Sequence, residues 1–271
     1  MRHGFTLVEL AIVLVIIGLL VGGVLTGADL IKSAQLYAIN QGKEDIVAAT
    51  MTFQNKYGRL PGDWMHATDT FGIAGGTGSD ATCQNTPTPQ GSTATCNGDG
   101  DGHLHTVSED LRFYQQLGAA GLIKGSYTGA NATLSSYINA FTAGVSLPEA
   151  RQSGYGYLTT WNNYQAGSTS TFATNYGHYV EYIYAPAITS GSANASVFTQ
   201  TPADMARFDA KFDDGLPGTG TVVTPNKGDG TTNFCTKAAG IAPPADLSAA
   251  NNLYNLSDTN TDCALYWLRV F

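Results

Sequence analysis

The hydrophobic pattern of the chain is dominated by an unbroken apolar run near its start. From Phe5 to Leu25 it reads FTLVELAIVLVIIGLLVGGVL, with Glu9 as its single ionisable group. About 20 consecutive apolar residues are what a helix needs to cross a bilayer. A secretory signal sequence would have a shorter apolar core, ~7–15 residues, ending at a small-residue cleavage site. Here the run is longer, begins almost at Met1 and passes into a helical pattern without a break. Further on, Ile46, Thr50, Phe53 and Tyr57 recur at helical spacing, with Lys43, Glu44, Gln54 and Lys56 available for the other face. Together these stretches predict one helix over 5–57, about 80 Å long at ~1.5 Å per residue. Gly58, Pro61 and Gly62 supply its stop signal.

The remaining chain, 58–271, reads as a head domain. A Gly, Ser and Thr-rich loop covers about 74–103. A helix is predicted over Glu109–Leu122, where Leu111, Tyr114 or Gln115, and Leu117 share a face. Ser108-Glu109-Asp110 offers an N-cap and an acidic first turn, and Gly121 or Gly125 an end. Strands are predicted over Tyr155–Thr160 and over His178–Tyr184, the second with alternating Tyr179, Glu181 and Ile183. Val197–Phe198 and Gly220–Thr224 are weaker strand signals. Tyrosines are dense from 155 to 184. They fit a half-buried sheet better than a carbohydrate-binding or subunit-binding surface. No fixed-period repeat is present.

Composition narrows the function classes. Charged residues make up 13% of the 271 positions, with 13 Lys+Arg against 21 Asp+Glu and a net charge of -8. With no basic run to neutralise phosphates, nucleic acid is not an expected partner. The 32 glycines and low charge suit an exported surface protein better than a cytosolic enzyme. Four cysteines, Cys83, Cys96, Cys235 and Cys263, form no CxxC pair. Two disulfides in an oxidising compartment are expected, and four cysteines allow three connectivities.

Candidate chemistry is concentrated in a few places. A carboxylate such as Glu9 costs roughly 2.5–3.5 kcal/mol at the centre of a membrane helix and is usually there for a partner. In Asn97-Gly98-Asp99-Gly100-Asp101-Gly102, oxygen ligands alternate and Gly102 takes the turn position, as in a calcium loop. An EF-hand would place its last ligand at Ser108. The carboxylate is at Glu109, so the candidate is a looser calcium loop of Asn97, Asp99 and Asp101 closed by Glu109 or Asp110. In a second acidic turn, Asp209 to Gly218, Asp213 and Asp214 are expected to cap and solvate a Gly-Leu-Pro turn. His103 and His105 raise a metal-dependent hydrolase, but no HExxH or GxSxG motif accompanies them.

The segment Gly4-Phe5-Thr6-Leu7-Val8-Glu9-Leu10 resembles the cleavage and methylation signature of type IV prepilins and type II secretion pseudopilins, and Gly18 falls where those helices commonly carry a glycine. The resemblance implies cleavage after Gly4 by a prepilin peptidase/methyltransferase and N-methylation of Phe5. It also implies that the Glu9 carboxylate neutralises the Phe5 amine of a neighbouring subunit. An acid and an amine buried in an apolar bundle are each costly alone and tolerable as a pair. The leader, Met1 to Gly4, is very short, with Arg2 as its positive charge. Where many major pilins have a helix-bending proline this chain has Thr26, flanked by Gly22, Gly23 and Gly27, which weaken helix.

The implied fold is α+β and type IV pilin-like, a long N-terminal helix packed on an antiparallel-sheet head. The implied division is a leader at 1–4, a transmembrane and filament-core helix at 5–25, its amphipathic continuation at 26–57 and the head at 58–271. Such a subunit sits in the bacterial inner membrane with its head in the periplasm. An assembly platform then moves it into a helical filament of copies or related pilins. Lys56 to Asp63 resembles the helix exit in prepilin-like proteins with extended heads, and a Cys235–Cys263 pair would match the C-terminal disulfide loop of many type IV pilins. The resemblance points to a structural protein and not an enzyme, and leaves pilin, minor pilin and pseudopilin open. A membrane-tethered periplasmic binding or hydrolytic domain is the alternative.

Overall fold

A computed structural model describes residues 6–74, 88–104, 107–129, 141–161, 177–185, 198–224, 235–237, 253–261 and 263–271. The chain divides into two compact units, the first ending at Gly42 and the second covering Lys43–Phe271. Helix α1, Leu7–Tyr57, is continuous through the boundary between them.

In the first unit every large apolar side chain of known placement from Leu7 to Val24 is at least half exposed. Among the described residues α1 is the one helix long and apolar enough to cross a bilayer. The glycine-flanked stretch expected to weaken it is helical, and the Thr26 hydroxyl donates back to the carbonyls of Gly22 (2.7 Å) and Gly23 (3.3 Å).

In the second unit the amphipathic part of α1 buries most of the face its spacing predicts: Ile46, Thr50 and Phe53 are buried and Tyr57 is half-buried, with Ala49 buried beside them. α1 ends at Tyr57, before Gly58. Phe53 and Tyr57 then pack with Trp64 and with Phe71 of the short helix α2, Ala67–Phe71. The ring centroids of this cluster lie 4.5 to 6.4 Å apart. Such aromatic pairs add stabilisation beyond their buried area.

Helix α3 spans Val107–Ala119. It starts before Ser108, which is therefore inside the helix and not its N-cap. It also ends earlier than the predicted Leu122. Gly121, at φ +69, lets the chain turn back, so that its N–H reaches Gly118 O (3.0 Å) and the Leu122 N–H reaches Leu117 O (3.0 Å). These two bonds form a Schellman cap, which satisfies carbonyls that the helix end would leave unpaired.

The sheet is antiparallel, with β1 (Tyr155–Trp161), β2 (His178–Tyr184), β3 (Phe198–Gln200), β4 (Val222–Val223) and β5 (Cys263–Leu268). β1 pairs with β2, and β5 pairs with β2, β3 and β4. β1 and β2 lie where the alternation placed them. β5, the strand that joins the others, was not predicted, nor was helix α4, Pro202–Phe212. α4 opens on a Thr201 cap, whose hydroxyl oxygen accepts from Asp204 N–H (3.2 Å), with Pro202 in the first turn. Between α3 and β1 the hydroxyls of Tyr114 and Thr159 bond at 2.7 Å. The tyrosines of the sheet are packed: Tyr157, Tyr182 and Tyr266 are buried, and the tilted rings of Tyr157 and Tyr182 have centroids 5.6 Å apart. Cys235 and Cys263 form a disulfide with Cα atoms 5.1 Å apart, tying the 235–237 segment to the start of β5. Cys96 is buried, and Cys83 lies outside the described residues.

One carboxyl sits inside this sheet. Glu181 of β2, 8% exposed, is opposite Leu158 on β1 and Tyr266 on β5. Burial pushes it up to about 7, opposed by hydroxyls of Tyr179 and Tyr266 that donate to it. A carboxyl whose folded value lies above its unfolded value of 4.5 favours the fold below that value, and the contribution is lost as pH rises through about 7. Glu181→Gln, which stays neutral, is therefore expected to unfold at nearly the wild-type temperature at low pH and at a higher temperature than wild type above neutrality. Thermal unfolding of the full chain in detergent across that range checks this; parallel pH profiles for the two proteins would contradict it.

Candidate functional site: a helix terminus and an acidic loop

The first candidate site lies at the start of α1. Gly4 and Phe5 lie outside the described residues. Thr6 and Glu9 cap the helix reciprocally: Thr6 N–H donates to Glu9 Oε2 (2.8 Å) and Glu9 N–H donates to Thr6 Oγ1 (3.3 Å). This is a capping box, legible in Thr-Leu-Val-Glu but not read there. It gives Glu9 a local role besides any partner. The carboxylate sits in the first turn, where the helix dipole favours negative charge. Its Oε1 has no hydrogen-bond partner among the described residues.

The second candidate site is built on the head around the predicted calcium loop. Asp63, Asp99 and Glu109 form a group whose carboxylate oxygens lie within 4.8 Å of one another. Asp99 and Glu109 were expected together, and Asp63 was not. It comes from the exit of α1 and is buried, as is Glu109, whereas Asp99 is exposed. Asp63 is the residue around which the loop winds: its Oδ1 accepts from Gly100 N–H (2.7 Å) and its Oδ2 from Gly102 N–H (3.0 Å).

The other two predicted ligands are turned elsewhere by the backbone. Asn97 Oδ1 accepts from the Thr68 N–H of α2 (2.9 Å). Asp101 Oδ1 accepts from His103 N–H (2.8 Å), and its Oδ2 lies 3.3 Å from the His103 ring nitrogen Nδ1. The loop is fixed against α3 by the fully buried Gln116. This side chain accepts from Gly62 N–H (2.7 Å) and donates to Cys96 O (3.1 Å). Gly98 passes so close to Asp63 that an added Cβ would lie 2.4 Å from its Cα, so only glycine fits there. Burial pushes the Asp63 carboxyl up to about 6. The Gly102 and Gly100 amides oppose that rise, and the neighbouring Asp101 and Asp99 add to it.

The second acidic turn also gathers three carboxylates, Asp209, Asp213 and Asp214. Each is engaged by the protein. Asp213 Oδ2 accepts from Thr221 and Val222 N–H (2.6 and 2.8 Å), and Asp214 Oδ1 from Leu216 N–H (2.9 Å). Asp209 accepts from Gly215 N–H (3.1 Å) and the Tyr254 hydroxyl (2.6 Å). These bonds are the turn-capping work expected of the segment. His103 lies against Trp161, ring centroids 4.0 Å apart, and His105 lies outside the described residues.

An apolar helix of membrane-spanning length with a capped acid in its first turn, joined in sequence to a head with an antiparallel sheet, is the α+β arrangement of type IV pilin-like proteins. Among known families, residues 1–25 match the model described as the prokaryotic N-terminal methylation motif. The chain thus carries the type IV prepilin and pseudopilin signature. No curated protein and no solved structure matches it.

Proposed function

We propose that this chain is a structural subunit, a pilin, minor pilin or pseudopilin, of a type IV pilus or type II secretion-like filament, processed after Gly4 and N-methylated at Phe5. The observation that carries this reading is the methylation motif at residues 1–25 on a helix whose apolar side chains have no cover of their own. Covering one such side chain contributes roughly 1.5–3 kcal/mol, so the segment resides in lipid or among other helices. The subunit is held in the inner membrane with its head in the periplasm. Cleavage creates the Phe5 amine, and the Glu9 carboxylate of a neighbouring subunit pairs with it once both leave water. That pair sets the axial register of helices whose apolar surfaces alone would slide.

The acidic loop is a calcium site in this proposal. Its donor set is all oxygen, which suits a hard cation and not zinc. Asp63, Asp99 and Glu109 are the residues that would hold the ion, with Asn97 and Asp101 bracing the loop. A divalent cation there would offset the mutual repulsion of carboxylates that the fold presses together, and so stabilise the head.

Two outcomes are expected. With either Gly4→Leu or Glu9→Ala as the only copy, membrane levels stay normal while the amount in sheared filaments falls at least about tenfold; normal filament amounts would overturn the assembly role. Calcium raises the unfolding temperature of the full chain in detergent and a chelator reverses this, whereas Asp63→Asn responds to neither. An identical temperature with saturating calcium and with chelator would leave the loop as an ordinary turn.

A further inference from the structure

Beside the acidic loop the head contains a cleft of about 470 Å³, lined among others by Gln54, Arg59, His103, Trp161 and His178. Its walls combine an aromatic platform with hydrogen-bonding groups that the protein leaves open. The platform is made by two rings together, the half-buried Trp161 and the His103 ring that lies on it at 4.0 Å between centroids and 34° between planes, with the His178 ring edge-on to Trp161 at 4.8 Å.

The most informative wall group is His178, at the start of β2 and only 6% exposed. Its Nε2 accepts from Leu104 N–H (3.3 Å), so the neutral ring carries its proton on Nδ1. Burial and the neighbouring His103 hold this ring down to about 4, against a weaker upward pull from Asp101, and so keep it neutral at physiological pH. The Nδ1–H has no hydrogen-bond partner among the described residues, and it is not one of the nitrogens sealed from solvent. A buried donor left open in this way lacks a hydrogen bond that a ligand can supply. At the end of α1, the Gln54 amide and the Arg59 guanidinium likewise make no side-chain bond among the described residues.

These groups restrict what can enter. An apolar ligand would strip water from the open donors and give nothing back. A polyanion would meet Asp63 at the cleft wall on a chain of net charge -8. A neutral polyhydroxylated ring meets both demands. Its C–H face rests on the flat aromatic surface while its hydroxyl oxygens accept from His178, Gln54 and Arg59 and its hydroxyl protons return to the Gln54 carbonyl. We propose that this cleft binds a neutral saccharide unit, the His103–Trp161 ring pair supplying the platform and His178, Gln54 and Arg59 the hydrogen bonds. The proposal goes beyond the filament reading and does not depend on it.

The test uses the full-length chain in a detergent without a sugar head group. The probes are lactose, maltose, cellobiose, chitobiose and, as an acidic arm, digalacturonate, followed by ligand-observed NMR and tryptophan fluorescence. At least one neutral disaccharide is expected to bind saturably in the micromolar to millimolar range. Gln54→Ala and Arg59→Ala, on side chains the fold does not use, should each weaken it several-fold, and Trp161→Phe should remove the fluorescence change. Three results would overturn the proposal: no binding by any neutral probe, unchanged affinity in both Gln54→Ala and Arg59→Ala, or tighter binding of digalacturonate than of every neutral probe.

Discussion

An apolar helix surface that its own chain does not cover is the constraint from which the rest follows. From Leu7 to Val24 the side chains stand open on all sides, with no amphipathic division that packing onto a single partner would require. By length and composition that surface suits a bilayer. The chain carries the methylation motif on this same segment, so the motif and the uncovered helix coincide in sequence. Glu9 has a local role in that segment. The carboxylate closes the first turn with Thr6 and leaves Oε1 open in the described structure.

The second unit is organised around two features placed far apart in sequence. β5 joins β2, β3 and β4, and the disulfide to Cys235 fixes its first residue. The aromatic group of Phe53, Tyr57, Trp64 and Phe71 holds the end of α1 against the turn that follows it. Asp63 and Gln116 then bring the Gly-rich loop onto that same exit. The acidic group and the cleft beside it both depend on the backbone of residues 58–63.

How much of this was legible depended on whether a local pattern survived burial. α1 kept its 3.6-residue period because one face of its second half meets solvent. β2 showed alternation in sequence although most of it is buried. β5, CALYWL, is buried at all six positions, which erases the period-2 signal and leaves only a short apolar run that fits strand or helix equally. α4 had a readable start, Thr-Pro-Ala-Asp, and buries Met205 and Phe208 at helical spacing, but these signals went unread beside the acidic turn that follows. Asp63 was invisible as a member of the acidic group because its contacts are made across 37 residues, to Gly100. The alternating oxygens of 97–101 suggested a shared centre, whereas the backbone turns Asn97 toward α2 and Asp101 toward His103.

The proposed function turns on whether the exposed apolar helix is processed and polymerised. Mass spectrometry of the N-terminal peptide, from membranes and from material sheared off the cell surface, tests it most directly. A processed filament subunit gives a peptide beginning at N-methyl-Phe5 in the sheared fraction. An intact Met1, found only in membranes, would contradict it and leave a tethered head in place of a filament subunit.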